Sequence, residues 1–323
     1  MTSLSGPLPG ARNRSSRAPD RLFRGAAAVA AGLVVVLLIA VGVLLTVSSW
    51  ETWQRFGLSF LTGLDWDPVK GIYGALPFIV GTLMTAAIGM VIAVPIGLLT
   101  AIFLAELAPR WLAIPLGFLV ELLAAIPSVV IGLWGVFVLS PLLRDTVEAW
   151  LAGSIGKVIP LFAGPSFGVG IFAAGVILAI MVLPTIVSIS REVINAVPNS
   201  QREAMLALGS TRWEMTTKAV LPYARSGIIG AMILGLGRAL GETMAVTMVV
   251  GNNPQIPSSL LGQGQTIASE IATTFSEASV GLQTSSLIAL GLTLLGMTII
   301  LNILARLLIR RVAGDGVGMA SGG

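Results

Sequence analysis

Six apolar runs, each long enough to cross a bilayer, dictate what this chain can become. They read Gly25 to Ser48, Leu76 to Leu104, Ala113 to Leu139, Val169 to Ile189, Ser226 to Val250 and Ser285 to Ile309. A hydrocarbon core about 30 Å thick needs roughly 20 helical residues to span it. In lipid every backbone polar group must be satisfied internally, which leaves helices and closed barrels. Continuous apolar runs of this length specify helices. The first run exceeds the roughly 7 to 15 residues of a signal-peptide core, so it reads as an uncleaved span. Of the 323 residues, 55% are apolar and 11% charged, against about 25% charged in a soluble domain. The expected fold class is all-α integral membrane, with six transmembrane helices. Prolines 77, 95, 115, 127 and 184 fall inside the runs, where neighbouring helices can re-satisfy the carbonyls they free. Pro127-Ser128 predicts a bend. Gly81, Gly89 and Gly97 recur at a spacing that lets helices pack closely.

Charge gives the orientation. With the N-terminus inside, fourteen Lys and Arg fall on inner segments and four on outer ones, leaving Arg238 within a span. Basic residues favour the cytoplasmic side, so both termini and the segment 191–225 are expected there. Four regions follow. Residues 1–24, rich in Pro, Ser, Gly and Arg, read as a disordered basic cytoplasmic tail. Residues 25–75 hold the first span and an outer loop, 76–311 the main transmembrane domain, and 312–323 a flexible tail.

The chain has no cysteine and no histidine, which removes thiol nucleophiles, disulfides, the usual zinc ligands and histidine acid–base chemistry. It also lacks Gly-x-x-x-x-Gly-Lys-Ser/Thr, so it carries no phosphate-cradling loop of its own. If a solute moves uphill at the expense of ATP, another subunit must hydrolyse it.

Two stretches stand apart from this apolar background. In the first, Ser200-Gln201-Arg202-Glu203 and Thr211-Arg212-Trp213-Glu214 both fit the capping box, in which a hydroxyl and a glutamate each satisfy an orphan backbone N–H. Gly209 between them is a left-handed helix stop. Two short helices hinged at a glycine make an elbow, the second running toward Leu221-Pro222. Such an elbow suits a groove on another protein; its bases also suit a helix lying on the inner leaflet.

In the second, Arg238 lies about twelve residues into the Ser226 run, and Glu242 follows one turn later on the same face. A charge at a helix centre costs about 2.5 to 3.5 kcal/mol on insertion scales. Such residues usually face a cavity or bundle interior and mark a solute path. Guanidinium offers a planar fork to oxyanions, and a carboxylate can accept a proton-bearing oxygen, which partly protonated phosphate has and sulfate lacks. Glycines 235, 237 and 241 leave room for a helix or a solute. The alternative is a salt bridge that pins two helices. Glu121, eight residues into its run, is either buried in the membrane or interfacial.

Glu203-Ala204-Met205, Gly209 and Ala219-Val220-Leu221-Pro222 have the spacing of the EAA loop of ABC importer permeases, with Met205 and Ala219 departing from the usual Ala and Ile. Gly237-Arg238-Ala239-Leu240-Gly241-Glu242-Thr243-Met244-Ala245-Val246, together with Leu123-Ala124-Ala125-Ile126-Pro127-Ser128, resembles the permeases of the phosphate-specific Pst importers, the C type more than the A type. Sulfate and molybdate permeases are similar at Arg-Ala-x-Gly-Glu but continue differently from Thr243-Met244. The resemblance spans about residues 75 to 310 and implies a type I ABC importer permease. It implies that Glu203, Ala204, Gly209, Leu221 and Pro222, within an elbow at 199–222, couple to an ATPase, and that Arg238 and Glu242 line the substrate path. It also implies a bacterial plasma membrane location and three kinds of partner: a second permease (PstA type), two ATPase subunits (PstB type) and an outside phosphate-binding protein (PstS type). No cofactor is expected on this chain, ATP and Mg belonging to the ATPase, and no nucleic acid. Rival readings are a different oxyanion importer and an ATP-independent secondary anion transporter.

Overall fold

The computed structural model describes the backbone of residues 17–314 and the side chains of 22–307. It divides into two units, Met1–Val47 and Ser48–Gly323. The first contributes α1 (Arg17–Ser48), whose Leu22–Ser48 stretch is long and apolar enough to cross a membrane. Arg17 to Arg24, expected in the tail, form the first turns of this helix; 1–16 lie outside the described residues.

In the second unit the segment between the first two spans is more ordered than a loop. It folds as α2 (Trp50–Phe56), α3 (Ser59–Thr62) and a short antiparallel hairpin, β1 (Trp66–Asp67) with β2 (Ile72–Tyr73). The aromatic residues of this segment pack together. Trp66 sits edge-on to Tyr73 and Phe78 with ring centroids 4.9 and 5.0 Å apart, a favoured aromatic geometry. Thr52 ties this segment to the start of the last helix through the Ser285 hydroxyl at 2.9 Å.

The remaining helices are α4 (Leu76–Ile102), α5 (Arg110–Ala125), α6 (Ser128–Trp134), α7 (Ser140–Leu143), α8 (Ala149–Gly153) and α9 (Ile171–Asn195). They are followed by α10 (Asn199–Ala207), α11 (Arg212–Met215), α12 (Leu221–Gly241), α13 (Met244–Val249), α14 (Ile267–Thr274) and α15 (Leu282–Gly314). Single π-turns join α6 to α7, α7 to α8 and α11 to α12 without breaking the helical path. Counted that way, six stretches among the described residues are long and apolar enough to span. Residues 312–314, expected in the C-terminal tail, close α15, and 315–323 lie outside the described residues.

Two of the expected spans are corrected. Ala113–Leu139 is not one helix: the chain is extended at Ile126 (φ −66°, ψ 128°) and Pro127 (φ −59°, ψ 139°), and the span is Ser128–Gly153. Proline pushes its predecessor out of the helical region, and here nothing restores it, so the expected bend is a full break. Ser226–Val250 also fails as one helix. The spanning stretch starts earlier, at Arg212, and ends at Gly241, with Glu242 extended (φ −69°, ψ 128°) before α13. Pro77 likewise opens α4 instead of interrupting it.

The central helix is α9, buried along most of its length. Lipid tails are as apolar as leucine, so helices in a membrane associate through close packing at small residues. Gly89 of α4 meets Leu178 and Gly175 of α9, Gly97 meets Ile186, and Gly235 of α12 meets Val182 and Ile186. The glycine spacing read in the sequence therefore serves contact with α9, except that Gly81 meets the backbone of Gln265. On the other side, Gly132 and Gly135 let α6 and its π-turn reach Ala245, Met248 and Val249 of α13. Beyond α13, the short helix α14 carries Glu270, 5% exposed. Burial raises its carboxyl above the ordinary range, partly offset by hydrogen bonds from Thr274 and Gln265.

Candidate functional site

The elbow forms, with one change to its start. Helix α10 begins at Asn199 with Pro198 in the N-cap position and no side-chain cap, so the expected box at Ser200–Glu203 is absent. Proline presets the extended backbone there. The second box is present: the Thr211 hydroxyl accepts from the Glu214 N–H at 3.3 Å, and Glu214 Oε2 accepts from the Thr211 N–H at 3.0 Å. Between them Gly209 adopts φ +79°. Its N–H donates to Leu206 O at 3.0 Å, and that of Ser210 to Met205 O at 3.2 Å, the paired bonds of a Schellman stop. The second helix does not end near Pro222; it runs through the π-turn Thr216–Val220 into α12, so the elbow is continuous with a span.

The elbow presents one face outward and anchors the other. Glu203, Ala204, Gly209 and Pro222 are exposed, while Leu221 is half-buried. Leu208 and Trp213 stand out at 83% and 61% exposure. Inward, Met205 and Leu221 join a cluster with Ile102, Ile194, Val197, Met215 and Val220. Methionine at the second EAA alanine position is thus a packing residue.

The strongest tie was not legible in the sequence. Arg202 Nη2 lies 2.7 Å from Glu106 Oε1, the two side chains 16% and 5% exposed. The same guanidinium donates to the Ile194 carbonyl at 2.8 Å and to that of Val197, closing the C-terminal end of α9. Glu106 sits on the π-turn Phe103–Leu107 that ends the second span. One arginine therefore joins the elbow to two spans. The only sequence signal was a glutamate at the end of an apolar run, with nothing to say that its partner lay 96 residues away.

At the other end of α12, Arg238 lies in the last helical turn, where a cation suits the carbonyl end of the helix dipole. Its Nη1 donates to the Thr185 hydroxyl of α9 at 3.3 Å. Because the helix stops at Gly241, Glu242 is on extended backbone and does not share Arg238's helical face. Among the described residues no salt bridge joins the two. A side chain at Gly237 or Gly241 would meet open space, so this side of α12 is uncovered. The arrangement leaves a guanidinium and a carboxylate beside a helix break, the kind of irregular backbone that membranes tolerate where it lines a cavity or is covered by protein. Glu121 is on α5, ahead of the Pro127 break and outside the spanning stretch, and it lines a cavity with Arg191.

Residues 93–314 match the family model described as binding-protein-dependent transport system inner membrane component. The chain is 47% identical over 296 residues to a phosphate transport system permease protein PstC of Haemophilus influenzae, covering 91% of this chain and 94% of that one. It is 45% identical over 322 residues to a protein of the same name from Mesorhizobium japonicum, covering 97% and 98%. A solved bacterial ABC transporter involved in the import of the acidic polysaccharide alginate shares the fold, with a TM-score of 0.54 at 16% identity, covering 90% of this chain and 99% of that one. With the family model matched along most of its length, a bundle of apolar helices and a capped elbow running into a span, the chain belongs to the binding-protein-dependent transport system inner membrane components, the permeases of ABC importers.

Proposed function

We propose that this chain is the permease subunit of an ATP-driven importer of inorganic phosphate. The observation that carries the reading is the 45 to 47% identity, over nearly the whole chain, to two proteins named for phosphate transport. The geometry supports it. Arg238 is free of any carboxylate among the described residues and stands beside open glycines at a helix break, so its donor fork is available to a passing oxyanion. Glu242 supplies an acceptor for a protonated oxygen nearby. Binding at such a step is weak, since a tight site would trap the ion; high-affinity selection belongs to an outside binding protein of the PstS type.

The chain itself is non-catalytic. Two ATPase subunits of the PstB type supply the hydrolysis, with ATP and Mg held there, and a homologous permease of the PstA type completes the path. The distribution of Lys and Arg supports a bacterial plasma (inner) membrane protein with both termini and the elbow in the cytoplasm. The elbow's exposed Leu206, Leu208 and Trp213, flanked by Glu203, suit a protein groove better than a lipid surface.

The test is ATP hydrolysis by the permease–ATPase complex in liposomes, with phosphate-loaded and then sulfate-loaded binding proteins. Stimulation by the phosphate form alone is expected. Stimulation by the sulfate form would keep the architecture and overturn the solute, and solute flux with no ATPase attached would return the reading to a secondary transporter. A second expectation concerns the elbow. Gly209→Val forces a β-branched residue into a left-handed conformation, at about 1 to 2 kcal/mol, with no steric clash from neighbours. The ATPase should co-purify less well with this variant, and Gly209→Asn, which tolerates that conformation, should be close to wild type. Equal co-purification of both would remove the elbow from the docking surface.

A further inference from the structure

A second guanidinium is placed as Arg238 is, one step further along α9. Ser188, Arg191, Glu192 and Asn195 of α9 face Gly117 and Glu121 of α5 across a cavity of about 240 Å³. Water occupies about 30 Å³ in the liquid, so the space takes an ion with part of its hydration shell. Arg191 is half-buried, and among the described residues it makes no salt bridge and no hydrogen bond. A half-buried cation with no partner is costly, and here the absence of a side chain at position 117 makes the room. A Cβ on Gly117 would overlap the Arg191 guanidinium.

The cavity is joined to Arg238 by the sequence of α9. Thr185, which accepts from Arg238, is followed at helical spacing by Ser188, then Arg191 and Glu192, then Asn195. Residues three and four apart share a helix face, so a polar stripe runs down an otherwise apolar helix. From Thr185 to Arg191 is about 9 Å along the helix axis at 1.5 Å per residue, so the hydroxyl that Arg238 reaches and the Arg191 cavity lie in order along one polar stripe.

We propose that this cavity is a second, weak oxyanion site, at which phosphate pauses on its way from Arg238 toward the elbow end of α9. This rests on the phosphate-importer reading above. The Arg191 fork, the Ser188 hydroxyl and the Asn195 amide are donors, while Glu121 and Glu192 are acceptors. Two carboxylates beside one arginine repel a fully deprotonated anion and favour one that still carries a P–O–H to donate. Sulfate has no such proton, and neither has the phosphodiester of a common phospholipid headgroup, the other phosphate group within reach of a membrane protein. The carboxylates also keep binding weak, as a transport route requires. The floor of the cavity includes Leu104, in the same π-turn as Glu106, so the ion pair that anchors the elbow is two residues from the site.

The chain has no cysteine, so Val120→Cys puts one thiol in the cavity wall without removing a polar group. In the assembled complex, reaction of this thiol with a small neutral reagent, followed by mass spectrometry of the chain, reads occupancy. Inorganic phosphate should slow the reaction by 1 + [L]/Kd, sulfate should not, and protection should vanish when Arg191→Gln is added and persist in part with Arg191→Lys. Equal effects of phosphate and sulfate, or none, would overturn the site. Protection by anionic phospholipid with no phosphate present, absent in purely zwitterionic vesicles, would assign the cavity to a headgroup and overturn the exit route. In transport, Arg191→Gln should lower phosphate moved per ATP about tenfold, the equivalent of one charge-assisted hydrogen bond. If wild type imports phosphate and the thiol is unprotected, only the cavity inference fails. If phosphate-loaded binding protein does not stimulate the wild-type complex, the importer reading fails, whatever the thiol reports.

Discussion

Phosphate uptake by the reconstituted complex should fall about a hundredfold or more in Arg238→Gln, with the complex assembling as in wild type. Arg238 donates to one hydroxyl, Thr185 Oγ1, and holds no buried partner whose charge would be stranded by its loss. Its removal therefore costs little stability. Its role lies in what the rest of the fork can bind. Charge-assisted hydrogen bonds contribute about 1.5 to 3 kcal/mol each, and about 1.4 kcal/mol is a factor of ten, so a two-pronged contact accounts for the expected drop. Arg238→Lys keeps a point charge but not the planar fork and should fall between. Glu242→Gln keeps the shape of the acceptor and removes its charge, so it should lower uptake and weaken discrimination between phosphate and sulfate. Wild-type uptake in both Arg238→Gln and Glu242→Gln, measured with labelled phosphate, would take the pair out of the path.

Much of this arrangement could be read before any coordinates. Run length alone fixed the number of spans, because lipid leaves the backbone so few choices. The Gly209 stop and the Thr211–Glu214 box are local, four- to five-residue patterns that act through their own backbone bonds, and both are present. What failed was continuity. A window of apolar residues cannot distinguish a helix that bends at Pro127 from one that ends there, since the outcome depends on whether neighbours re-satisfy the freed carbonyls. The same blindness merged α12 with α13 and put Glu242 on Arg238's face, when extended backbone at Glu242 takes it off the helix. The Ser200 box failed for a different reason: Pro198 caps the helix two residues earlier, and Ser200 is already inside it. Contacts between distant parts of the chain left no trace. Nothing in the sequence links Glu106 to Arg202 or Gly117 to Arg191, and these two pairs define the anchor of the elbow and the shape of the cavity.

The Arg202–Glu106 pair carries the second large expectation: Arg202→Ala should leave the ATPase attached yet uncouple it, so that ATP is hydrolysed with little phosphate moved. The outward face of the elbow, Glu203, Ala204 and Leu208, does not depend on Arg202 for its exposure, and docking is preserved. The inward face does depend on it. The guanidinium spans Glu106 at the end of the second span and the Ile194 and Val197 carbonyls at the end of α9, so movement of α10 reaches both helices through one rigid group. Removing one partner of a buried pair costs about 3 to 5 kcal/mol, because the other charge is stranded, whereas replacing both with apolar groups is often neutral. Stability and coupling can therefore be separated. Arg202→Ala and Glu106→Leu should each lower the yield of folded protein, and the double variant Arg202→Met, Glu106→Leu should recover the yield. Coupling, measured as phosphate imported per ATP hydrolysed, should stay low in the double variant, since apolar contact cannot replace directed bonds to two helix ends. Recovery of coupling along with yield would mean that the Met205–Leu221 cluster alone transmits the motion and that the ion pair only holds the fold together.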